Sequence, residues 1–291
     1  MESMIRINNL TKFYGKSRGI KNIQLEIEKV TIYGFIGPNG TGKSTTIKCI
    51  MNFINKSTGE IYVNNQIIDN KNYKLKEEIG YLPSEIHLYD NLTVKKMLDY
   101  SASFYKKDCN QRKKDLIKKL EIDENKRIDE LSLGNLKKVG IVLALMHEPK
   151  VVIMDEATSG LDPLMQEKFY EILEEEKAKG TTIFFSSHIL SEVKRICDKV
   201  AIIKDGQIIK IEDMDIFDKN EMLQVKITSK EINEILRELE IANIKEMKND
   251  EAKFIYNGEI NKFIKTISKY SISKLLIEEL DIEDIFMHYY E

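Results

Sequence analysis

Short apolar runs recur between Ile5 and about Ile211, at residues 32–36, 80–82, 151–154, 182–185 and 200–203. Several are continuous rather than alternating, as in strands covered on both faces. Stretches with apolar residues at helical spacing separate them. This pattern predicts an α/β domain with its strands gathered in one core sheet. Residues of about 92–127 interrupt it with a Lys-, Glu- and Asp-rich segment that reads as a helical insertion. The tail has a different texture. Residues 223–227 alternate like a strand, 232–239 look helical, 244–247 and 252–256 read as strands, 261–267 as a helix, and 271–277 as a strand. That β-α-β-β-α-β order predicts a small α+β domain, followed by a last helix over about 282–290. The expected boundaries are 1–215 for the first domain, with a helical subdomain at about 85–140, and 216–291 for the second. The length of 291 residues suits two domains.

One junction in this pattern carries chemistry. The run at 32–36 leads into Gly37-Pro38-Asn39-Gly40-Thr41-Gly42-Lys43-Ser44-Thr45, and a helical segment follows. The spacing G-x-x-x-x-G-K-[ST] between a strand and a helix is a phosphate-binding loop. Gly37, Gly40 and Gly42 let the backbone curl and aim N–H groups at a polyphosphate. The helix start adds unpaired N–H groups and the positive end of its dipole. Lys43 can reach the outer phosphates, and the Ser44 hydroxyl is placed to ligate Mg²⁺.

Two more strand ends supply polar groups. The run at 151–154 ends in Asp155 and Glu156. Asp155 is the expected partner of Mg²⁺ through its water shell. Glu156 is the expected general base that polarises an attacking water. The run at 182–185 ends in Ser186-Ser187-His188, and His188 is expected on the ligand side of the sheet, at the γ-phosphate and the attacking water. Leu131-Ser132-Leu133-Gly134-Asn135 opens a further helix, with Ser132 as its N-cap and Gly134 freeing the backbone. This start reads either as an ordinary capped helix or as a second anion site. A single ATP needs one phosphate loop, so the second reading makes it the cap on the nucleotide of a neighbouring copy.

Composition removes some classes. The formal net charge is −3, which argues against a nucleic-acid binder. The apolar run at 139–146 is too short to cross a bilayer. No basic-then-apolar leader opens the sequence, and Cys49, Cys109 and Cys197 are isolated and lack metal spacing. Reduced packing cysteines in a cytoplasmic protein are the expectation. The basic residues Lys106, Lys107, Arg112, Lys113, Lys114, Lys118 and Lys119 read as a solvated face, or as a face near an anionic membrane.

Across about residues 4–215 the chain resembles the ATP-binding subunits of ATP-binding-cassette (ABC) transporters. Gly37–Thr45 is similar to their Walker A loop and Val151–Glu156 to Walker B. Leu131–Asn135 resembles the signature motif, Ser159-Gly160-Leu161-Asp162 the D-loop, and His188 the switch histidine. Tyr14 resembles the aromatic residue that stacks on adenine. The resemblance implies a P-loop NTPase fold, mixed sheet core plus helical subdomain. It also implies ATP and Mg²⁺ as ligands and a head-to-tail dimer, either a homodimer or a pairing with a second ABC ATPase. Each ATP would lie between one phosphate loop and the partner's Ser132 and Gly134. The insertion would contact a membrane permease. The ending, residues 280–290, and the segments Ile79–Pro83 and Leu92–Val94 resemble ATPases paired with ABC-2-type permeases. Those export drugs, peptide antibiotics and toxic peptides, phenol-soluble modulins among them, from the inner face of the cell membrane.

Three positions depart from the family pattern. Ser84 stands where a Gln is usual, with Glu85 next to it as a candidate substitute. Leu133 replaces a common Gly, and Lys137 replaces a usual Gln with no expected consequence for the chemistry. A soluble regulator without transport is the alternative function. A ribosomal ABC factor usually carries two cassettes, and a chromosome-structure member a long coiled coil between Walker A and the signature. This chain has one phosphate loop and no sustained heptads.

Overall fold

The structure is a computed structural model describing residues 2–15, 17–214, 223–241, 244–256 and 258–279. The chain divides into two compact units, Met1–Glu212 and Asp213–Glu291.

The first unit is built on a six-stranded sheet. Its order is Gln207–Asp213, Lys199–Lys204, Ile32–Ile36, Thr182–Ser187, Val151–Asp155, Ile79–Leu82. The five strands from Lys199–Lys204 to Ile79–Leu82 pair in parallel. Every residue of Ile32–Ile36, Val151–Asp155 and Thr182–Ser187 is buried, which is why these runs are continuously apolar. Neighbours in a strand point to opposite faces. Phe184 packs its ring 5.3 Å from that of Phe35, while Phe185 faces Phe169 at 6.5 Å. Truncating a buried ring of this kind to Ala costs about 3–5 kcal/mol.

A second, antiparallel sheet was not singled out by the apolar runs. Its order is Ser17–Glu28, Ser3–Tyr14, Thr58–Val63, Gln66–Ile67. Register shifts break the period of Ser3–Tyr14 along both of its edges, which blurs any strict alternation.

The insertion is helical. Val94–Ala102 is capped by Thr93, Asn110–Lys119 follows, and a single 3₁₀ turn at Ile128–Glu130 precedes the helix Leu133–Leu145. Lys106, Lys107, Lys114 and Lys118 of its basic cluster are exposed, whereas Arg112, Lys113 and Lys119 are partly or fully covered. Arg112 pairs with the fully buried Glu176, and Lys119 reaches Glu175 at 2.6 Å, both on the helix Pro163–Ala178. Lys113 pairs with Asp99 at 2.5 Å and Lys107 with Glu148. The Arg112 and Lys119 pairs fasten the insertion to the helix Pro163–Ala178, while Lys113–Asp99 joins two helices of the insertion itself.

The second unit is an antiparallel sheet in the order Ile244–Lys248, Glu251–Tyr256, Leu223–Thr228, Lys274–Glu279. The helices Ile232–Glu238 and Ile260–Ile267 connect its strands in the expected α+β order. Glu251–Tyr256 buries alternate residues, and Phe254, Phe263 and Ile235 centre its core. The helix expected at 282–290 lies outside the described residues. Among the described residues no helix is long and apolar enough to cross a membrane.

Candidate nucleotide site

The strand Ile32–Ile36 runs into the glycine loop, and the helix Lys43–Ile50 leaves it. Gly40 and Gly42 have φ of +82° and +111°, in the left-handed region that side chains avoid. Gly37 is needed for a different reason: a Cβ there would lie 2.4 Å from the Ile203 carbonyl oxygen. Gly42 caps the helix with no side-chain hydrogen bond. The first N–H groups of the helix are therefore not met by a capping side chain.

The loop walls one side of a cavity of about 440 Å³. Asn39, Gly40, Gly42, Lys43, Ser44 and Thr45 line that side, while Tyr14, Gly19, Ser84 and Glu156 line the rest. Tyr14 is about half exposed and lies against Gly19, where a Cβ would be 2.9 Å from its ring. Gly19 was missed by sequence reasoning; a side chain there would crowd the edge of the Tyr14 ring.

Lys43 is buried. Its ammonium donates to the carbonyl oxygens of Gly37 at 2.5 Å and Pro38 at 3.2 Å, and sits 3.3 Å from Glu156 Oε1. His188 Nδ1 donates to Glu156 Oε2 at 2.6 Å. The Glu156 carboxylate thus lies between a lysine and a histidine. Asp155 is buried just behind it and accepts from Ser186 Oγ at 2.6 Å. The parallel register sets Asp155 directly beside Ser186, so adjacent strands place all these groups at their carboxyl ends. The neighbouring Ser187 and Thr158 hydroxyls both donate to the buried Glu192, at 2.6 and 2.5 Å. That carboxylate joins the strand end before His188 to the turn before Gly160.

Ser132 and Gly134 are not among the residues lining this cavity. Ser132 is exposed and caps its helix, accepting from Asn135 N at 3.4 Å. Gly134 lies against Gly160, where a Cβ would meet the Gly160 carbonyl oxygen at 2.6 Å. Leu133 is exposed on the same turn. One further expectation needs correction. Ser84 does face the cavity, but Glu85 is solvent-exposed, 3.7 Å from His87, and does not line it. A carboxylate there would repel phosphate, and the fold keeps it out. Lys137 is almost fully buried beneath the site, and its ammonium donates to three backbone carbonyls. The overlooked signal was its place on the apolar helix face shared with Gly140, Ile141 and Ala144.

A glycine loop before a helix, a buried lysine, a hydroxyl at Ser44 and two carboxylates at the end of a nearby strand define a nucleoside-triphosphate-binding P-loop protein. Residues 20–159 match the family model described as ABC transporter. Among curated relatives, the linearmycin resistance ATP-binding protein LnrL of Bacillus subtilis is 34% identical over 72% of this chain and 68% of its own length. The uncharacterized ABC transporter ATP-binding protein YcbN, also of Bacillus subtilis, is 30% identical over 99% of this chain and 94% of its own. The lantibiotic transport ATP-binding protein SrtF of Streptococcus pyogenes is 35% identical over 73% and 92%. Among solved structures, the ATP-binding subunit of an ABC transporter superposes with a TM-score of 0.70 at 28% identity, over 75% of this chain and 92% of that one. The dimeric structure of MJ0796, a bacterial ABC transporter cassette, gives 0.67 at 25% identity, over 72% and 99%. The chain belongs to the ATP-binding proteins of ABC transporters, and it is an ATPase coupled to transport.

Proposed function

We propose that this protein is the ATP-hydrolysing subunit of an exporter for drugs or for antimicrobial or toxic peptides, working at the inner face of the membrane with an ABC-2-type permease. The relatives named for linearmycin resistance and lantibiotic transport support the substrate class. An exposed aromatic group on the insertion supports the permease contact. Tyr89, Tyr100 and Phe104 are 56%, 45% and 64% exposed and stack edge to face, Tyr100 to Phe104 at 5.0 Å. A cytoplasmic segment of the permease would cover them.

Two copies associate head to tail in this reading, and the dimeric structure of a similar cassette supports the pairing of two copies. The loop N–H groups and Lys43 hold the triphosphate, Tyr14 stacks on the base, and Ser132 and Gly134 of the second copy close over the γ-phosphate. Mg²⁺ fits the donors on hand. Ser44 offers a hydroxyl inside the cavity and Asp155 a buried carboxylate, both oxygen ligands suited to a hard cation. With Ser44 and Asp155 as its protein donors, the ion would also be held by the phosphates of the nucleotide. When bound, the ion neutralises charge on the phosphate oxygens.

The observation that carries hydrolysis is the Glu156 carboxylate, fixed between Lys43 and His188 at the cavity wall. From there it takes the proton of a water attacking the γ-phosphate, while His188 holds its orientation. Ser84 is shorter than the usual Gln, so turnover is slow without the permease. Replacing the base tests the assignment. Glu156→Gln should lower ATP turnover by about 100-fold or more while ATP still binds. Undiminished turnover in that variant would remove Glu156 from the role.

A further inference from the structure

Glu156 is held in an unusual backbone conformation. Its φ is +50°, in the left-handed region that residues with a Cβ seldom adopt. Such a conformation persists only where the surroundings over-determine it. At its amino end, the Glu156 N–H donates to the Ser186 carbonyl oxygen at 3.2 Å. At its carboxyl end, the carbonyl accepts from Lys137 Nζ at 3.2 Å. The same ammonium donates to the carbonyl oxygens of Pro83 at 3.3 Å and Ser84 at 3.0 Å. An ammonium has three N–H donors, and here each finds a backbone carbonyl. The stem descends through the buried face of the helix Leu133–Leu145, the helix that Ser132 caps.

We infer that Lys137 is a positioning residue for hydrolysis: it fixes the backbone of the base Glu156 and ties it to Ser84, from the helix that carries the Ser132 cap. The inference rests on the role proposed above for Glu156. It joins three segments through one atom: the strand end bearing the base, the cavity wall at Ser84, and the helix start offered to a second copy. A displacement of that helix moves the Lys137 ammonium, and with it the carbonyls on either side of the cavity. Burial pulls the Lys137 pKa below its ordinary value, opposed by the charges of Asp155 and Glu156. The carboxylates of the site thus favour the charged form that supplies all three donors. A Gln at this position has only two amide donors and so cannot bond all three carbonyls.

Steady-state ATPase kinetics and nucleotide affinity separate this role from simple packing. Lys137→Met keeps the bulk and removes every donor; kcat should fall about tenfold or more, with the dissociation constant for ATP changing less than about threefold. Lys137→Gln should recover part of the loss and remain about threefold below wild type in kcat. If Lys137→Met does not fold, the Gln variant alone decides. Wild-type kcat in Lys137→Gln, or a loss of ATP affinity that accounts for the whole fall in either variant, overturns the inference. Glu156→Gln run in parallel keeps the two readings apart. Full turnover in that variant sinks the assignment of the base, whereas its inactivity beside a wild-type Lys137→Met sinks only the role of Lys137.

Discussion

The helices Lys43–Ile50 and Leu133–Leu145 both begin beside glycines and both offer backbone N–H groups, yet they are finished in opposite ways. The first has Gly42 at its cap, in a left-handed conformation and without a side-chain hydrogen bond, and it opens into a cavity that the loop itself lines. The second is capped by the Ser132 hydroxyl and shows that turn, with Leu133, at the surface. Helix starts ordinarily take a Ser, Thr, Asp or Asn cap because it satisfies an orphan donor. Omitting the cap at Gly42 keeps donors free for phosphate within the same subunit. Retaining it at Ser132, on an exposed turn, satisfies a donor of the helix, and in the reading proposed above that turn closes over a ligand held by another copy. Under the reading proposed above, the two helix starts divide the site between copies, with binding assigned to the first and completion to the second.

Removing the cation of the first half gives the largest effect. Lys43→Ala should weaken ATP binding by about 100-fold or more, because a buried, charge-assisted contact to phosphate is lost. Fluorescence titration with a nucleotide analogue reads this directly. Affinity retained in Lys43→Ala would break the comparison, since the first half would then not be the binding half.

Acid acts at the far end of the second helix. His147 follows its C-cap and stacks on Tyr105 of the insertion, with ring centroids 4.1 Å apart. Burial, with some help from the charge of Lys107, pushes its pKa down from 6.5 to about 4. Between those values the unfolded chain takes up a proton that the folded chain refuses. The folded state keeps its full advantage above pH 6.5 and loses it as pH falls toward 4. Between pH 7 and 5 this amounts to about 2 kcal/mol. Urea midpoints should therefore fall more for wild type over that interval than for His147→Phe, which preserves the stack. Equal shifts would show that His147 does not set the acid limit of this helix.

Much of the fold is legible in the sequence, and the misses have physical reasons. Runs such as 151–154 and 182–185 are continuous because both faces of the sheet are covered, and they mark the core strands plainly. The sheet built on Ser3–Tyr14 lacks that signal because register shifts disturb its alternation. The glycine loop is legible because few residue types permit its φ values. The internal pairing of Arg112 with Glu176 is not, since a charge on a helix looks the same whether it faces water or a buried carboxylate. The placements of Lys137 and Glu85 were not legible for a related reason. A motif fixes residue type by position, but the side chain's direction depends on tertiary packing: Lys137 points inward beneath Glu156 and Glu85 points out to solvent.

The division of the site between two copies is tested most directly by the mass of the protein in solution. Glu156→Gln, with ATP and Mg²⁺, is measured by size-exclusion chromatography with light scattering, and the same substitution is then combined with Ser132→Arg. The account predicts an ATP-dependent dimer for Glu156→Gln, and a monomer that still binds ATP once the Arg blocks the second helix start. A Glu156→Gln protein that stays monomeric with ATP bound, or a dimer indifferent to Ser132→Arg, would contradict it.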